Sequence, residues 1–548
     1  MPGFYNKIKP TNIPRSSFDL SHTKQFTLDM GQLIPCDCIP VVPNDILSLG
    51  AETVIRFMPM VAPSFTNISA YVHYFFVPYR LLMKDSDGEW MDFISGGLTG
   101  DSKPSLPLAN FGAGDLHSTP SGNVNLYSDG LPSGTQKFSL WDYFGFPVAS
   151  TGGVDWSSAE AAPLAFPFRA YNKIFNDWYR DAILQQDERD LDSSAVAYRN
   201  LKKDYFVSAL PAPQLGTPPT LSIFGTPFVQ YSSTNQTTGL ANSTFAPSEV
   251  ANYGSDSTGV NWKDLAYSGG ARSDLRPLYV DLASASSSVN INELRVLFAT
   301  QRFMERNMIS GGNLRMQDFL VAHFGTAPND ETLQRAEYLG GSKFPILVNS
   351  VAQTSETSVN SPQGNLTGEG VAASSDHMFK YRAKEFGVII GIMSILPDTL
   401  YYGGIDKEWL KRTKEEFLFP EFAELGASSV FNAELFANPS SRLGTDGIFG
   451  YQGMYDEYRT MPSKICGGMQ DDYFSPWNLA RIFSNQPNLN AEFISGKWLS
   501  TTEGKRIFAT QEDDTSAGTA AVPAARNIIC HYSVGVTAVR PLPYYPIA

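Results

Sequence analysis

Two runs of β-branched and aromatic residues between Glu52 and Arg80 place the strongest constraint on what this chain can fold into. In the second run, one face is entirely apolar: Ile68, Ala70, Val72, Tyr74 and Phe76. The opposite face mixes aromatic and polar side chains: Ser69, Tyr71, His73 and Phe75. Because successive side chains of a strand point to opposite faces, this alternation predicts a strand with one dry face. The first run alternates less cleanly, but two such strands separated by a turn at Pro63 indicate an antiparallel sheet packed on one side.

Further strand patterns lie near the other end of the chain. Residues 386–398 are continuously apolar, which predicts a central, buried strand, and residues 528–538 alternate most regularly of all. Residues 451–464 and 506–510 also fit strands, whereas three prolines make residues 31–50 unsuited to a central strand. If strands from the two ends pair, they close one sandwich. The sequence therefore predicts a mainly β fold, a single eight-stranded antiparallel jelly-roll sandwich with long helix- and loop-containing insertions.

The sandwich and its insertions give a predicted domain organisation. Its parts are a single domain at 1–548, an irregular N-terminal arm at 1–30, an insertion at 90–200 with a helix near 168–184, a Ser/Thr/Gly-rich surface protrusion loop at 215–288, and a helical insertion at 289–325. A loop as long as 215–288 is usually functional or mobile, which favours an external position. The arm either contacts nucleic acid or a neighbouring subunit, or wraps its own core. In the helical insertion, the spacing of Asn290 and Glu293 predicts a capping box before an apolar stripe.

The helix near 168–184 carries an aromatic stripe. Tyr171, Phe175 and Trp178 recur at the spacing of one helical face. Such a stripe is more often a packing face than a ligand site. We therefore expect these three side chains to pack the helix onto the sandwich or onto a neighbouring subunit.

Composition favours a protein with large interfaces but does not require one. The 548 residues are 18% charged and 13% aromatic, and soluble domains usually carry about 25% charged residues. Interface cores lose charge and gain aromatic residues, so this composition is typical of self-association, although a large aromatic core explains it equally well. The net charge of −14 excludes nucleic-acid binding by the chain as a whole. Nucleic acid beside it would require local basic patches or a separate cationic partner.

The four cysteines indicate a reducing compartment. Cys36 and Cys38 are too close for an easy disulfide, and no zinc-ligand spacing is present. The N-terminal residues lack the apolar core of a signal peptide, and no apolar run reaches the ~18 residues needed to span a bilayer. We therefore expect free thiols and no membrane association.

No catalytic motif emerges from the sequence. Phosphate-binding glycine loops, HExxH and GxSxG are all missing, and the six histidines show no ligand spacing. Two acidic clusters, Asp471–Asp472 and Glu512–Asp514, could bind a structural divalent cation, but acidic pairs in Gly/Ser-rich sequence are more often solvated turns. We expect no enzyme activity, no cofactor and no metal site.

Several segments resemble the major capsid protein of the Microviridae, most closely its gokushovirus-like lineages. They include FDLSHTKQFTLDMGQLIP (18–35), YVHYFFVPYRLL (71–82), FRAYNKIFNDWYRD (168–181), KKDYFVSALPAPQ (202–214), INELRVLFATQRFMERN (291–307) and GYQGMYDEYRTMPSKICG (450–467). The segments keep the family order along the chain. The resemblance implies a jelly-roll subunit of a T=1 icosahedral bacteriophage shell, built through pentamers in the host bacterial cytoplasm around circular single-stranded DNA.

The same resemblance implies partners. A small basic DNA-binding viral protein accompanies the genome in this family, and its positive charge would offset the net charge of −14 on this chain. The 215–288 loop lies where gokushovirus-like members carry an insertion at the threefold axes, and it is a candidate contact to a host-surface receptor. Lys7, Lys9 and Arg15 are candidate contacts to DNA phosphates.

The sequence thus predicts a structural capsid protein. The competing class is a carbohydrate-binding or hydrolytic β-sandwich protein with 215–288 as its ligand loop. Particle size separates the two classes, because a lectin or hydrolase forms a small oligomer whereas a coat protein forms a closed shell.

Overall fold

A computed structural model describes residues 14–84, 87–95, 106–109, 138–147, 163–219, 229–231, 278–280, 291–309, 315–352, 354, 364–423, 425–437, 447–509 and 526–545. The chain divides into two compact units. The first contains Met1–Leu215 and Arg306–Ala548, and the second is Gly216–Glu305.

The described strands and helices are as follows. The strands are β1 (Ser16–Asp19), β2 (His22–Leu28), β3 (Ile34–Val41), β4 (Ile46–Phe57), β5 (Ile68–Pro78), β6 (Val229–Tyr231), β7 (Leu278–Val280), β8 (Glu337–Ala352), β9 (Leu366–Arg382), β10 (Gly387–Pro397), β11 (Leu400–Tyr401), β12 (Ala427–Phe431), β13 (Ile448–Gly453), β14 (Ala480–Arg481) and β15 (Ile528–Arg540). The α-helices are α1 (Trp90–Ser95), α2 (Leu140–Tyr143), α3 (Phe166–Ile174), α4 (Ile291–Ile309), α5 (Met316–Phe324), α6 (Lys407–Leu410), α7 (Ala491–Ile494) and α8 (Thr502–Lys505). A π-helical turn covers Phe175–Tyr179, and short 3-10 turns cover Tyr79–Leu81, Lys414–Glu416, Pro420–Phe422, Asn432–Glu434, Asp456–Tyr458, Gly467–Gln470, Asp472–Trp477 and Gly496–Ser500.

Nine of these strands form one curled antiparallel sheet. Its order is β1-β15-β4-β9-β8-β5-β10-β3, and β2 also pairs with β15. The first half, β2-β15-β4-β9, and the second half, β8-β5-β10-β3, reproduce the two sheets of a jelly-roll sandwich. The predicted mainly β, antiparallel fold is confirmed. The predicted count of eight strands is not, because two short strands, β1 and β2, share one edge.

The two strand patterns between Glu52 and Arg80 form β4 and β5, which belong to opposite halves of the sandwich. β4 pairs with β15 and β9, whereas β5 pairs with β8 and β10. They do not pair with each other. β8 passes from one half to the other, since its first part pairs with β5 and residues 347–352 pair with β9. Alternation shows that a strand has a dry face, but it does not show which strand lies beside it.

The dry faces of the two halves meet in one hydrophobic core. Tyr74 of β5 and Tyr532 of β15 are fully buried, and their hydroxyl oxygens lie 2.7 Å apart. The Tyr74 ring also packs against Phe379 of β9, with ring centroids 5.3 Å apart. As predicted, burial alternates along β15, and every residue of β10 is buried. Strands from both ends of the chain therefore close a single core.

Residues near the N-terminus correct one prediction and agree in part with another. The interpretation of 1–30 as irregular is wrong for 16–19 and 22–28, which form β1 and β2 on β15. Phe26 and Leu28 are buried there, so a short alternating pattern was sufficient to extend the sheet. The prediction that 31–50 contains no central strand agrees only in part. Residues 34–41 form β3, which pairs with β10 alone, at the sheet edge where Pro35 and Pro40 are tolerated. Residues 46–50, beyond the prolines, begin the central strand β4.

Two further predictions are wrong in detail. Of the predicted strand at 506–510, residues 506–509 are described and do not form a strand. Ile507 and Phe508 are consecutive buried residues, and only a single bridge joins Phe508 to Met60. The helix near 168–184 ends earlier than predicted. α3 continues as the π turn to Tyr179, and Arg180 is extended, with ψ of 134°.

The remaining insertions are described in part. α4 and α5 lie in the predicted helical insertion, and α5 ends at Gly325, whose φ of +66° favours glycine. In the second unit, β6 and β7 pair in antiparallel fashion within the predicted 215–288 loop. Apart from 215–219, the other residues of that loop lie outside the described residues.

Polar contacts join the edges of the two halves, where β2 faces β3. His22 Nε2 lies 3.2 Å from Oδ1 of the buried Asp37, and Lys24 Nζ donates to the Pro35 carbonyl oxygen at 2.7 Å. The hydrogen bond to Asp37 raises the pKa of His22 to about 9. At neutral pH the His22 imidazolium therefore links β2 to β3 through its contact with Asp37.

We expect the His22–Asp37 contact to make stability pH-dependent. Because the pKa of His22 rises on folding from 6.5 to about 9, its stabilisation is fully present below pH 6.5 and is lost as the pH rises through 9. His22→Gln should therefore be less heat-stable than the wild type at pH 6, with the difference shrinking by pH 10. Thermal unfolding of both proteins between pH 5.5 and 10 measures this, and a difference independent of pH would contradict it.

Candidate functional site

The predicted packing residues Tyr171 and Phe175 are buried against the chain's own sheet. Tyr171 Oη donates to the Leu33 carbonyl oxygen at 2.7 Å and accepts from the Ala197 backbone N–H at 3.0 Å. Burial raises the pKa of Tyr171 to about 12, so its phenol stays protonated and remains a donor. These two side chains fix α3 to the sandwich.

Trp178, the third predicted packing residue, is partly buried. Its indole Nε1 donates to the Ala336 carbonyl oxygen at 2.9 Å, and the Arg335 guanidinium lies 4.2 Å from its ring centroid. Its ring centroid lies 5.6 Å from that of Phe75 and 5.8 Å from that of Tyr338. The π turn places Trp178 and the next residue together over the outer face of β5.

A pocket of about 350 Å³ opens beside Trp178 on this outer face. The residues that line it are His73, Phe75, Trp178, Tyr179, Arg199, Asn200 and Tyr338. They lie on β5, in the π turn, at residues 199–200 and on β8. The mixed aromatic and polar face predicted for β5 thus forms one wall of a pocket.

The polar groups of the pocket are held in place by neighbours. His73 Nδ1 lies 2.8 Å from Tyr179 Oη. Burial, and secondarily the charge of Arg199, lowers the pKa of His73 to about 4, so this histidine is neutral at neutral pH. Asn200 Nδ2 donates to the Tyr179 carbonyl oxygen at 3.0 Å and to Gln185 Oε1 at 3.0 Å. Asn200 therefore positions the Tyr179 backbone.

Arg199 supplies the positive charge of the pocket. Its guanidinium carbon lies 4.3 Å from the centroid of Tyr71 and 5.8 Å from that of Tyr179. Its Nη1 donates to Ser394 Oγ at 2.8 Å. Arg199 takes part in none of the ion pairs of the described residues. The pocket is therefore aromatic and cationic.

Large apolar side chains are exposed elsewhere in the first unit. One group, named here the Trp409 patch, consists of the exposed residues Trp409, Phe417, Leu418, Phe419 and Tyr458, of which Phe417 and Tyr458 lie beside Lys411. Trp409 is 73% exposed. A second group, the Tyr473 patch, consists of the exposed Phe65 and Tyr473 and the half-buried Trp477, with the Phe65 and Trp477 rings stacked at 5.7 Å. Exposed apolar patches of this kind mark surfaces that other macromolecules cover.

The candidate DNA contacts are not brought together by the described part of the chain. Lys7 and Lys9 lie outside the described residues. Arg15 is exposed, immediately before β1.

The acidic clusters provide no metal site within the described residues. Asp471 and Asp472 are exposed, and Glu512–Asp514 lie outside the described ranges. Across residues that the structure describes, no group of three or more His, Cys, Asp or Glu side chains could hold a metal ion. The four cysteines are free, and burial raises the pKa of the Cys38 and Cys530 thiols to about 12. Among the described helices, none combines the length and the apolar content needed to cross a bilayer.

Sequence patterns did not identify the pocket as a site. His73 and Phe75 were placed on the correct face of β5, but Arg199, Asn200 and Tyr338 carry no local signal. They reach His73 only through the pairing of β8 with β5 and the fold of the chain after α3. The Trp409 patch also has no periodic pattern, because its residues lie in short turns.

The fold and surface define a structural protein. Exposed aromatic patches on a β-sandwich are typical of proteins whose surface is covered by other macromolecules. The family model described as "Capsid protein (F protein)" matches residues 6–528, so the chain belongs to this family of capsid proteins.

Curated relatives agree with this assignment. "Capsid protein VP1" of Chlamydia phage 1 is 30% identical over 624 residues, covering 100% of this chain and 97% of that protein. "Capsid protein VP1" of Bdellovibrio phage phiMH2K is 30% identical and that of Spiroplasma virus 4 is 26% identical, each covering 89% of both chains. The predicted resemblance to the Microviridae major capsid protein is confirmed. The chain is a structural major capsid protein of a bacteriophage virion, not an enzyme.

Replacing Trp178 with Ala should destabilise the subunit. The change removes a partly buried ring and the hydrogen bond to the Ala336 carbonyl, so we expect a loss of about 2–4 kcal/mol in the free energy of unfolding. Trp409→Ala is the matched control, because Trp409 is largely exposed and should change that free energy by less than about 0.5 kcal/mol. Denaturant unfolding of the unassembled chain measures both, and equal effects would contradict the packing role.

Proposed function

We propose that the chain assembles, through pentamers, into a T=1 icosahedral shell. The carrying observation is the exposed aromatic surface of the Trp409 and Tyr473 patches on a subunit that already buries a large core. Closed homo-oligomers bury such surfaces against copies of themselves, and obligate interfaces bury about 2,000 Å² or more. Membership of a capsid protein family supports the proposal that copies of this chain cover these patches.

The shell encloses circular single-stranded DNA and is assembled in the host bacterial cytoplasm. The net charge of −14 opposes DNA phosphates, so a small basic viral protein accompanies the genome and offsets both charges. Lys7, Lys9 and Arg15 contribute inward contacts to DNA phosphates. Free thiols are consistent with assembly in a reducing compartment.

Residues 215–288 form an external protrusion that contacts a host-surface receptor. The division of the chain into two compact units, with residues 216–305 as the second, supports this proposal. Deleting 215–288 and measuring adsorption to host cells tests this role, since unchanged adsorption would exclude it. The alternative, a carbohydrate-binding or hydrolytic sandwich, has no support from the family match.

Replacing Trp409 with Ser should reduce shell formation without unfolding the subunit. Removing the most exposed ring of the Trp409 patch weakens contacts between copies, whereas the monomer loses little burial. Sedimentation and electron microscopy of particles produced from the full chain measure shell yield, with circular dichroism as the folding control. Wild-type shell yield from both Trp409→Ser and Tyr473→Ser would contradict the proposed assembly surfaces.

Neutralising Lys7, Lys9 and Arg15 together with Gln should lower the nuclease-protected DNA per particle. Each change removes one phosphate-binding cation from the inside of the shell. A matched triple variant, Arg56→Gln, Lys380→Gln and Lys414→Gln, removes three exposed cations from other positions and should retain more DNA. Equal DNA content in the two variants would show that the arm has no special role.

A further inference from the structure

The pocket beside Trp178 has the walls of a base-stacking site. Its aromatic side chains are Phe75, Trp178, Tyr179 and Tyr338. Tyr338 is 45% exposed, and its ring centroid lies 5.5 Å from that of Phe75. Aromatic rings that are exposed at a pocket wall are platforms on which nucleic-acid bases stack, whatever the sequence. A volume of about 350 Å³ lies within the range of ligand sites, roughly 300–1,000 Å³.

Arg199, which lines the pocket, and Lys343, which lies beside Tyr71 on the neighbouring strand, have no carboxylate partner within the described residues. Arg199 is held between Tyr71 and Tyr179, with one nitrogen bonded to Ser394. Lys343 Nζ lies 5.4 Å from the ring centroid of Tyr71, the same ring that Arg199 contacts. Neither cation forms an ion pair within the described ranges, although the chain as a whole carries −14. Uncompensated positive charge in an acidic protein indicates an anionic ligand.

Two neighbouring cations, unlike Arg199 and Lys343, form ion pairs with carboxylates. Lys202 pairs with Asp398 at 3.0 Å, and Arg335 pairs with Asp330 at 2.5 Å. Because His73 is neutral at neutral pH, it adds a hydrogen-bonding edge to the pocket without adding charge. A ligand that matches these features has a flat ring and one or two negative charges.

The backbone makes the pocket in advance of any ligand. The register between β5 and β8 shifts between Tyr74 and Phe75. A Cβ on Gly341 would lie 2.2 Å from the Val72 carbonyl oxygen, so only glycine allows β8 to approach β5 this closely. A preformed aromatic wall lowers the entropy lost when a ligand binds.

We propose that this pocket binds one nucleotide of single-stranded DNA, with the base stacked against Tyr338 and the phosphate contacting Arg199. The assignment rests on the proposed function, since a shell around single-stranded DNA supplies unpaired bases at high local concentration. The proposal also requires that the face of the β8-β5-β10-β3 half that points away from the core is turned toward the interior of the shell.

The test measures binding of fluorescein-labelled (dT)10 to the unassembled full-length chain by anisotropy, as a function of salt. An abasic ten-mer with the same phosphates and free dTMP serve as the comparison probes. We expect the wild type to bind (dT)10 about tenfold more tightly than the abasic probe, because stacking depends on the base. Tyr338→Ala should remove that preference, and Tyr473→Ala, an exposed tyrosine elsewhere, should retain it.

Arg199→Gln tests the phosphate contact separately. It should reduce the slope of log K against log salt concentration by about 0.7, which is the change for one phosphate contact on single strands. Circular dichroism and thermal unfolding confirm that each variant is folded, and Lys343→Gln provides a second test if Arg199→Gln unfolds. Equal affinity, preference and salt slope in all pocket variants would overturn the proposal. Binding of dTMP as tight as that of (dT)10 would also overturn it, because a free nucleotide would then be the ligand.

Two results separate this proposal from the proposed function. Particles that contain nuclease-protected DNA while the pocket variants bind (dT)10 like the wild type would refute the pocket alone. Particles without DNA would refute the proposed function. Pocket variants that abolish shell assembly but leave (dT)10 affinity unchanged would show that the pocket contacts protein, and would overturn the nucleotide assignment.

Discussion

Pairing between β15 and its neighbours β2 and β4 joins the two ends of the chain, and the single core depends on it. Tyr532 of β15 meets Tyr74 of β5 in that core, although 458 residues separate them in sequence. Burial raises the pKa of both phenols, so the pair stays neutral and hydrogen-bonded where a phenolate would be costly. The entropy of closing a loop grows only slowly with its length. Long insertions between paired strands are therefore tolerated as long as the terminal strands find each other.

The sandwich divides its surface between different uses. One face of β5 packs into the core. The opposite face forms a wall of the aromatic pocket, together with residues of the π turn that follows α3. The Trp409 and Tyr473 patches come from short turns between strands, where no core requirement dictates which residues are apolar. Exposed aromatic patches and a large aromatic core both contribute to the low charge and high aromatic content of the chain.

Agreement between sequence and structure is greatest where a pattern is long and regular. β5, β10 and β15 lie where alternation or continuous apolar sequence predicted them, because each strand faces the core along its whole length. Short or mixed patterns failed. Ile507 and Phe508 are two consecutive buried side chains outside any strand, and the arm at 16–28 contains strands whose apolar residues are few. The end of the 168–184 helix was misplaced because nothing local marks the change from α to π geometry at Phe175.

The sequence by itself determined which side chains share a face, since strand and helix periods are properties of neighbouring residues. With a family resemblance it also determined the class of protein, a capsid subunit. Tertiary structure alone decided that β4 and β5 lie in opposite halves, and that Arg199 and Tyr338 meet at His73. Strand pairing and pocket assembly depend on contacts between distant segments, and their free energy comes from burial in the complete fold rather than from any local pattern.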